Sequence, residues 1–210
     1  MQKKLIKYTL SGLFLLFLAY RSVYFKKLDE VKLASAKSFD ASSYAQNFYR
    51  NGLLPRTDSA IEISSLLSLL KTAPDSTFKH YAHALDIGNI RYFLVRGEGT
   101  ISSLDEDAVS LSLDKDSAKS KIKIATEFVY GNAIRDASGL INLNDFSNTA
   151  DFNSVSEETN KIVRKEVVPA FKAKAQQGSR IKFSGAIELN QAHLNLDSIE
   201  VIPIQLTALK

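Results

Sequence analysis

Five stretches of the chain carry the apolar and polar pattern of half-buried strands. The alternation is strict in two of them, with Val109, Leu111 and Leu113 in one and Ile122 and Ile124 in the other. Successive side chains of a strand point to opposite faces, so this period sets one face of each strand against a core. The predicted strands cover residues 90–105, 107–114, 119–131, 179–190 and 193–209.

Helical periods precede the first strand. A helix is expected from about residue 41 to 51, with Asp40 as its N-cap and Gly52 at its end. An amphipathic helix is expected within residues 60–76, ending before a proline. A short helical turn follows over 75–84. The apolar face of the amphipathic helix holds Ile63, Leu66, Leu67 and Leu70.

A longer helix lies between the third and fourth strands. Ser154 and Glu157 have the spacing of a capping box at its start. Pro169 is expected to kink or divide this helix, because proline donates no backbone hydrogen bond. Gly178 is expected to end it.

The order of three strands, one helix and two strands favours an α+β fold. It fits a five-stranded antiparallel barrel of the OB type, with one long helix between strands 3 and 4. Gly97, Gly99 and Gly185 lie inside strands, as is typical of bulges and barrel corners. A sandwich or an open α+β sheet would give the same pattern. The predicted domains are a membrane anchor (1–27), a helical segment that packs on the barrel (28–88) and the OB-like barrel (89–210).

The N-terminus has the pattern of a membrane segment. The uncharged run over residues 8–20 fits the core of a signal peptide, but the large residues after it leave no evident cleavage site. If Arg21 reaches the interface, residues 5–25 form about 20 residues of helix, roughly 30 Å, which spans a bilayer. We predict an uncleaved signal-anchor, a single transmembrane helix of the cytoplasmic (inner) membrane with the C-terminal domain outside. A cleaved signal peptide and a buried core helix are the alternatives.

The basic excess of the chain is confined to this N-terminus. Residues 1–27 hold six of the 27 basic residues and none of the 23 acidic ones, so residues 28–210 carry a net charge of −2. Binding to a phosphate backbone needs a basic face on the folded part. The second and third predicted strands offer Lys121 and Lys123 but only one aromatic residue, Phe128. We therefore predict no nucleic-acid binding.

The sequence shows no recognised set of catalytic or metal-binding residues. The chain has no cysteine, which excludes thiolate catalysis, Cys-ligated zinc and a lipid-bearing cysteine. His80 and His83 could share a helical face, but His193 is far away in sequence. Phosphate loops, dinucleotide fingerprints and nucleophile elbows are not found. We predict a non-enzymatic protein without a metal or cofactor.

The most distinctive polar stretch is GNAIRDASGLINLNDFSN, residues 131–148. In a strand, Arg135 and Asp136 would point to opposite faces, and a buried member of the pair would need partners. One interpretation is a polar network that fixes the loop before the helix. The other is a pocket for a small ligand or a docking surface, with Arg135 as the clamp. The candidate binding residues are Arg135, Asp136, Asn142, Asn144, Asp145 and Asn148.

Three segments, FLVRGEGTI, RDASGLINLNDFSNTADFNSVSEETNKIVRKEVVP and IKFSGAIEL, resemble a bacterial domain-of-unknown-function family of predicted periplasmic lipoproteins. The resemblance covers roughly residues 28–206. It implies an exported, membrane-attached protein that often accompanies sugar ABC importers. This chain departs from the lipoprotein form because it has no cysteine. The family pattern matches at Arg135, Asp136, Asn144, Asp145, Phe146, Asn148, Val155, Ser156 and Asn160.

These features together predict a membrane-anchored extracytoplasmic protein that acts as an accessory or interaction module of a transporter or envelope complex. The alternative is a binding protein for a small ligand, a sugar or an anion, that uses the loop 131–148. A third possibility is a hydrolase with an unrecognised site.

Overall fold

The computed structural model describes residues 2–22, 39–84, 88–113 and 120–209. They belong to two compact units, Met1–Asp40 and Ala41–Lys210. The expected connector after the anchor and the turn after the second strand lie largely outside the described residues. The predicted domain boundaries at residues 27 and 88 stay predictions.

The first unit contains one helix, α1, over Gln2–Ser22. Among the described residues, no helix is both long enough and apolar enough to cross a membrane. The predicted transmembrane helix is therefore not confirmed.

The second unit is built around a sheet in which all five predicted strands are present. Two further strands, β1 and β2, are only two residues long and pair with β3, the longest strand. The strands are β1 Ile61–Glu62, β2 Ala82–His83, β3 Ile90–Leu104, β4 Ala108–Leu113, β5 Lys121–Ala125, β6 Arg180–Asn190 and β7 Ser198–Ala208.

The five longer strands pair in a closed ring. β3 pairs with β4 and β6, β5 pairs with β4 and β7, and β6 pairs with β7. All these pairs are antiparallel except β5 and β7, which run parallel. Directions cannot alternate all the way around a ring of five strands, so one neighbouring pair must be parallel. The expectation of an entirely antiparallel set is wrong for this pair.

Short helices precede β3, the first strand of the ring, and further helices follow β5, its third strand. The amphipathic helix predicted after residue 60 is confirmed as α4, and all four residues of its apolar face are at most 1% exposed. The α-helices of this unit are α2 Ala41–Asn47, α3 Leu54–Thr57, α4 Ile63–Thr72, α5 Pro74–Tyr81, α6 Ala133–Ser138, α7 Thr149–Ile162 and α8 Val168–Lys172, with a 3-10 turn over Leu143–Asp145.

Two π-helical turns each stand just before a proline. Phe48–Leu53 links α2 to α3, which holds Pro55, and Val163–Val167 links α7 to α8, which holds Pro169. A proline cannot donate into the preceding turn, and a wider turn accommodates the missing bond. Pro169 therefore divides its helix as predicted. Gly52 does not end the first helix, because it lies inside the π-helical turn.

The long helix α7 begins earlier than its predicted capping box. The Asn148 side chain accepts a hydrogen bond from the Asp151 backbone N–H at 2.9 Å, which makes Asn148 the N-cap. Ser154 lies within the helix and donates back to the Ala150 carbonyl at 2.9 Å, so the expected start at Ser154 is wrong. The helical run also ends at α8, before Gly178, which occupies a later turn.

A single apolar core joins the ring of strands to α4, α5 and α8. Gly185 of β6 lies at a register shift in the pairing with β7, as its position inside a strand predicts. A Cβ at this position would lie 2.5 Å from Val201 Cγ1 and 2.6 Å from the Ile202 carbonyl oxygen. The core includes Ile63, Leu67, Phe93, Val95, Ile124, Phe171, Ile181, Phe183 and Val201.

Candidate functional site

The helix α6 carries Arg135 and Asp136 between the third strand of the ring and α7. All six residues of the element, Ala133–Ser138, are buried, and the Asp136 backbone N–H donates to the Asn132 carbonyl oxygen at 2.9 Å, as in a helical turn. Gly139 ends the helix with a φ of 63°, in the left-handed region that favours glycine. The sequence predicted a loop between the third strand and the long helix, and this expectation is wrong for residues 133–138.

Arg135 and Asp136 form a buried ion pair. Arg135 Nε donates to Asp136 Oδ1 at 2.6 Å, and the two residues are only 3% and 5% exposed. Consecutive residues can pair in this way because the segment is helical, whereas a strand would have separated them. A charge with so little solvent needs a partner, since an isolated buried ion is strongly disfavoured.

The start of α7 fixes the Arg135 guanidinium from a second side. Arg135 Nη1 donates to the Phe152 carbonyl oxygen at 3.1 Å and to Asn153 Oδ1 at 3.3 Å. The guanidinium carbon also lies 3.5 Å from the centroid of the Phe152 ring, in a cation–π contact. Arg135 therefore has a defined position before any ligand arrives.

Burial shifts the titration of this site. Loss of solvent raises the pKa of the Asp136 carboxyl above its ordinary value, although the hydrogen bond and the charge of Arg135 act in the opposite direction. The pKa of the Tyr92 phenol is also raised, first by burial and then by the charges of Glu188 and Asp136. Such shifts are typical of functional sites as well as of structural ion pairs.

Both members of the ion pair line a cavity of about 410 Å³. The cavity lies between β3, α6 and the start of α7, and its size is within the range of small-ligand sites. Its polar lining beyond the ion pair comes from Tyr92, Asn132, Thr149 and Asn153.

The other four predicted site residues do not line this cavity. Asn142 and Asp145 cap the 3-10 turn, where the Asn142 backbone N–H donates to Asp145 Oδ2 at 2.9 Å. Asn148 caps α7, and Asn144 is exposed. The structure thus separates the stretch 131–148 into an ion pair that lines a cavity and a set of caps that holds the backbone.

Most of the lining residues were missed by reasoning from the sequence, among them Tyr92, Asn132, Thr149, Phe152 and Asn153. Tyr92 lies more than forty positions before Asp136 and reaches the site only because β3 passes beside α6. Phe152 is one of the buried residues of α7. Asn153 follows it without any local signal. A contact between Phe152 and Arg135 could have been suspected from the Arg135 charge alone, which needs partners if buried.

The two histidines near this region do not form a metal site with each other. His80 lies on α5 and its Nδ1 is 2.8 Å from the Ser76 carbonyl oxygen. His83 lies on β2, where burial first and the nearby Arg56 second lower the pKa of its imidazole. Within the described ranges, no group of three or more His, Cys, Asp or Glu side chains could hold a metal ion.

The chain belongs to the family described as predicted periplasmic lipoprotein (DUF2291), whose sequence model matches residues 13–207. This confirms the resemblance drawn from the sequence. Membership indicates an extracytoplasmic, envelope-associated protein. The association with sugar transporters stays a prediction.

The fold is similar to that of a solved OB-fold protein from Thermotoga maritima MSB8, a crystal structure at 1.90 Å resolution. The two chains are 26% identical with a TM-score of 0.73, and the alignment covers 82% of this chain and 99% of the other. The predicted OB-like, α+β character is thereby supported. No curated protein is similar enough to this chain to count as a match.

Proposed function

We propose that this member of the predicted periplasmic lipoprotein family is a non-enzymatic binding protein of the cell envelope. Its ligand is a small neutral molecule that carries hydroxyl groups, and its site is the cavity beside the Arg135–Asp136 ion pair. The observation that carries the proposal is that both buried charges line a cavity of ligand size.

The charge of the site favours a neutral ligand over an anion. Asp136 lies 2.6 Å from Arg135 and offsets most of its charge. An added anion would have to compete with this carboxylate in a poorly solvated place. A hydroxyl group can accept from a guanidinium and donate to a carboxylate at the same time, so it suits both members of the pair.

The walls of the cavity fit the same class of ligand. Asn132, Thr149 and Asn153 provide amide and hydroxyl groups, and Tyr92 and Phe152 provide aromatic surface. A few polar groups on an apolar, aromatic wall are typical of sites that orient small molecules. Aromatic faces would cover the C–H surfaces of such a ligand.

The test is a titration of the full-length chain with a panel of neutral sugars and polyols, read by calorimetry and by the shift in melting temperature. Tyr92→Phe and Thr149→Ala remove lining groups that make no part of the ion pair. Both are expected to weaken binding, while Tyr81→Phe, on a different surface, leaves it unchanged. A flat response of the parent chain to the whole panel would overturn the proposal.

A second candidate function, an accessory module that docks on a transporter or envelope protein, is favoured by the loop after β5. Phe128 and Tyr130 on this loop are 63% and 61% exposed, although Val129 between them is fully buried. Exposed aromatic residues on a well-held backbone are typical of the central contacts of protein interfaces.

Side chains of the α7 region hold this loop in place. Arg164 donates to the Val129 carbonyl oxygen, and its guanidinium carbon lies 4.4 Å from the Tyr130 ring centroid. Asn160 Nδ2 donates to the Gly131 carbonyl oxygen at 2.8 Å. A loop that is already ordered loses less entropy when a partner binds.

Crosslinking in native membranes tests the docking candidate. One and the same transporter or envelope protein should be captured by the parent chain and by Leu104→Ala, and lost with Phe128→Ala/Tyr130→Ala. Equal capture by all three chains would contradict it. Attachment to the cytoplasmic membrane through residues 1–27 remains a prediction, which fractionation of the same membranes would examine.

A further inference from the structure

A second polar surface lies on the outer side of β3, β6 and β7, away from the residues of the Arg135 cavity. It holds two adjoining cavities of about 420 and 300 Å³, and Arg96 and Lys182 line both of them. The larger one also meets the first turn of α4, through Ser64 and Ser65.

The register of the sheet explains why the two cations meet. Arg96 of β3 pairs with Ser184 of β6, and the neighbouring outward position of β3, Glu98, pairs with Lys182. Residues two apart on a strand share a face, so Arg96 and Lys182 lie diagonally on one surface.

A glycine on the core-facing side of β3 lets the start of α4 pack closely against this strand. A Cβ at Gly97 would lie 2.8 Å from Phe183 Cζ and 2.9 Å from Ile63 Cγ2. No larger residue fits between the strand and the first residue of α4 without a shift. Ser64 and Ser65, which follow Ile63 in the helix, line the larger cavity together with the cations.

Two of the three carboxylates near the cations are already engaged. Glu62 caps α4, accepting from the Ser65 backbone N–H at 3.0 Å and from the Ser64 hydroxyl. Glu98 lies 3.4 Å from Arg180 in an exposed ion pair. Asp58, in the smaller cavity, is the third.

Arg96 and Lys182 themselves form no ion pair with a carboxylate in the described part of the chain. Ser184, which lines the smaller cavity beside them, is 5% exposed, and its hydroxyl has no hydrogen-bond partner among the described residues. Buried hydroxyl groups are ordinarily paired, so this one adds an unused polar group next to the two cations.

We infer that this surface binds an oxyanion, a phosphate or carboxylate group, between Arg96 and Lys182. The planar guanidinium supplies two parallel donors for such a group and the ammonium supplies a point charge. Ser65 at the start of α4 adds a hydroxyl donor, and the helix dipole adds a positive potential. The site is independent of the Arg135 cavity, so either can fail without the other.

The oxyanion could belong to a free small molecule or to an anionic lipid headgroup. The experiment therefore has two arms, both with the full-length chain. In the first, inorganic phosphate is titrated at constant ionic strength and followed by calorimetry. In the second, the chain is sedimented with phosphatidylglycerol vesicles and with phosphatidylcholine vesicles. Because α1 contains lysines that also attract anionic vesicles, only differences between variants are compared.

The variants are Arg96→Gln and Lys182→Gln, with Lys123→Gln as a matched control, since Lys123 is an exposed lysine of β5 that lines neither cavity. Each test variant should weaken phosphate binding at least about tenfold, the usual loss for one charged hydrogen bond. The control should bind like the parent. Arg96→Lys keeps the charge but not the two parallel donors of the guanidinium, so it should give an intermediate loss of phosphate affinity.

Phosphate binding with this pattern supports a small-molecule source. No phosphate binding, together with weaker sedimentation of the two Gln variants on phosphatidylglycerol vesicles only, supports a lipid source. The inference is overturned if the parent does not bind phosphate up to about 10 mM and both Gln variants sediment like the parent, or if the control loses as much as the test variants.

Discussion

The two polar regions of the second unit contain the same kinds of side chain but differ in how their charges are compensated. Arg135 is 3% exposed and lies 2.6 Å from Asp136. Arg96 and Lys182 are exposed and have no carboxylate partner among the described residues. Burial makes an internal partner necessary in the first region, whereas solvent allows the second to keep its charge.

The difference separates the ligands that the two regions can accept. A self-neutralised pair with fixed donors and an acceptor suits a neutral hydroxyl-bearing molecule. Two exposed cations beside serine hydroxyls suit an oxyanion. The same difference also predicts how strongly each region contributes to stability, because only a buried charge is costly to leave alone.

The largest expected effect is that of Asp136→Ala. It leaves the Arg135 guanidinium buried without its carboxylate, which should lower the free energy of unfolding by about 3 to 5 kcal/mol. Denaturant unfolding of the parent and the variant measures this loss. A loss below about 1 kcal/mol would show that the pair is solvated in the protein, which removes the contrast between the two regions.

A smaller effect is expected in the pH dependence of the free energy of unfolding, which also reports the burial of Asp136. Burial raises the pKa of Asp136, so the folded chain holds this proton to a higher pH than the unfolded chain. Its contribution to stability is therefore most favourable at or below the ordinary value of 3.8 and falls as the pH rises through the raised value. In the variant Asp136→Asn, the free energy of unfolding should no longer show this decline as the pH rises. An opposite slope would mean that Arg135, and not burial, dominates the site.

Asn148→Ala tests the support of the buried region. The variant removes the cap of α7, the helix whose first turns hold Arg135 through Phe152 and Asn153, and should cost about 1 kcal/mol. Ser154→Ala is the matched control, because its exposed hydroxyl only bonds back within the helix. Thermal unfolding of both variants decides between them. Equal losses of stability in the two variants would mean that Ser154 supports the start of the helix as much as Asn148 does.

Lys182→Ala should have the smallest effect. Its ammonium is exposed and forms no ion pair with any residue that the structure describes, so the free energy of unfolding should change by less than about 0.5 kcal/mol. The same denaturant curves that measure Asp136→Ala measure it. A loss as large as that of Asp136→Ala would indicate a structural ion pair on the outer surface.

Periodic features of the fold were predictable from the sequence. The alternation at Val109, Leu111 and Leu113 and the apolar face of α4 each report burial on one side of a regular element, and the structure has both. The parallel pair β5 and β7 was not predictable from alternation. It follows from ring closure, which is a property of the whole sheet.

The short helix α6 could not be predicted from the sequence, for a physical reason. The six residues of α6 are helical because Ile134 and Ala137 find a buried place against the sheet, and isolated helices of that length are not stable. Arg135 and Asp136 were identified as candidates from charge alone. Tyr92 was not, since only the path of β3 brings it to the cavity.

The most direct test of the account is a chemical-shift titration of the full-length chain, isotope-labelled at its backbone amides, first with neutral sugars and polyols and then with phosphate. A neutral hydroxyl-bearing compound should shift the amides around Tyr92, Arg135 and Asp136 and leave those of β6 unchanged. Phosphate should shift the amides around Arg96 and Lys182 instead. If no neutral compound perturbs the Arg135 cavity, the ion pair is a structural support and the central claim is contradicted.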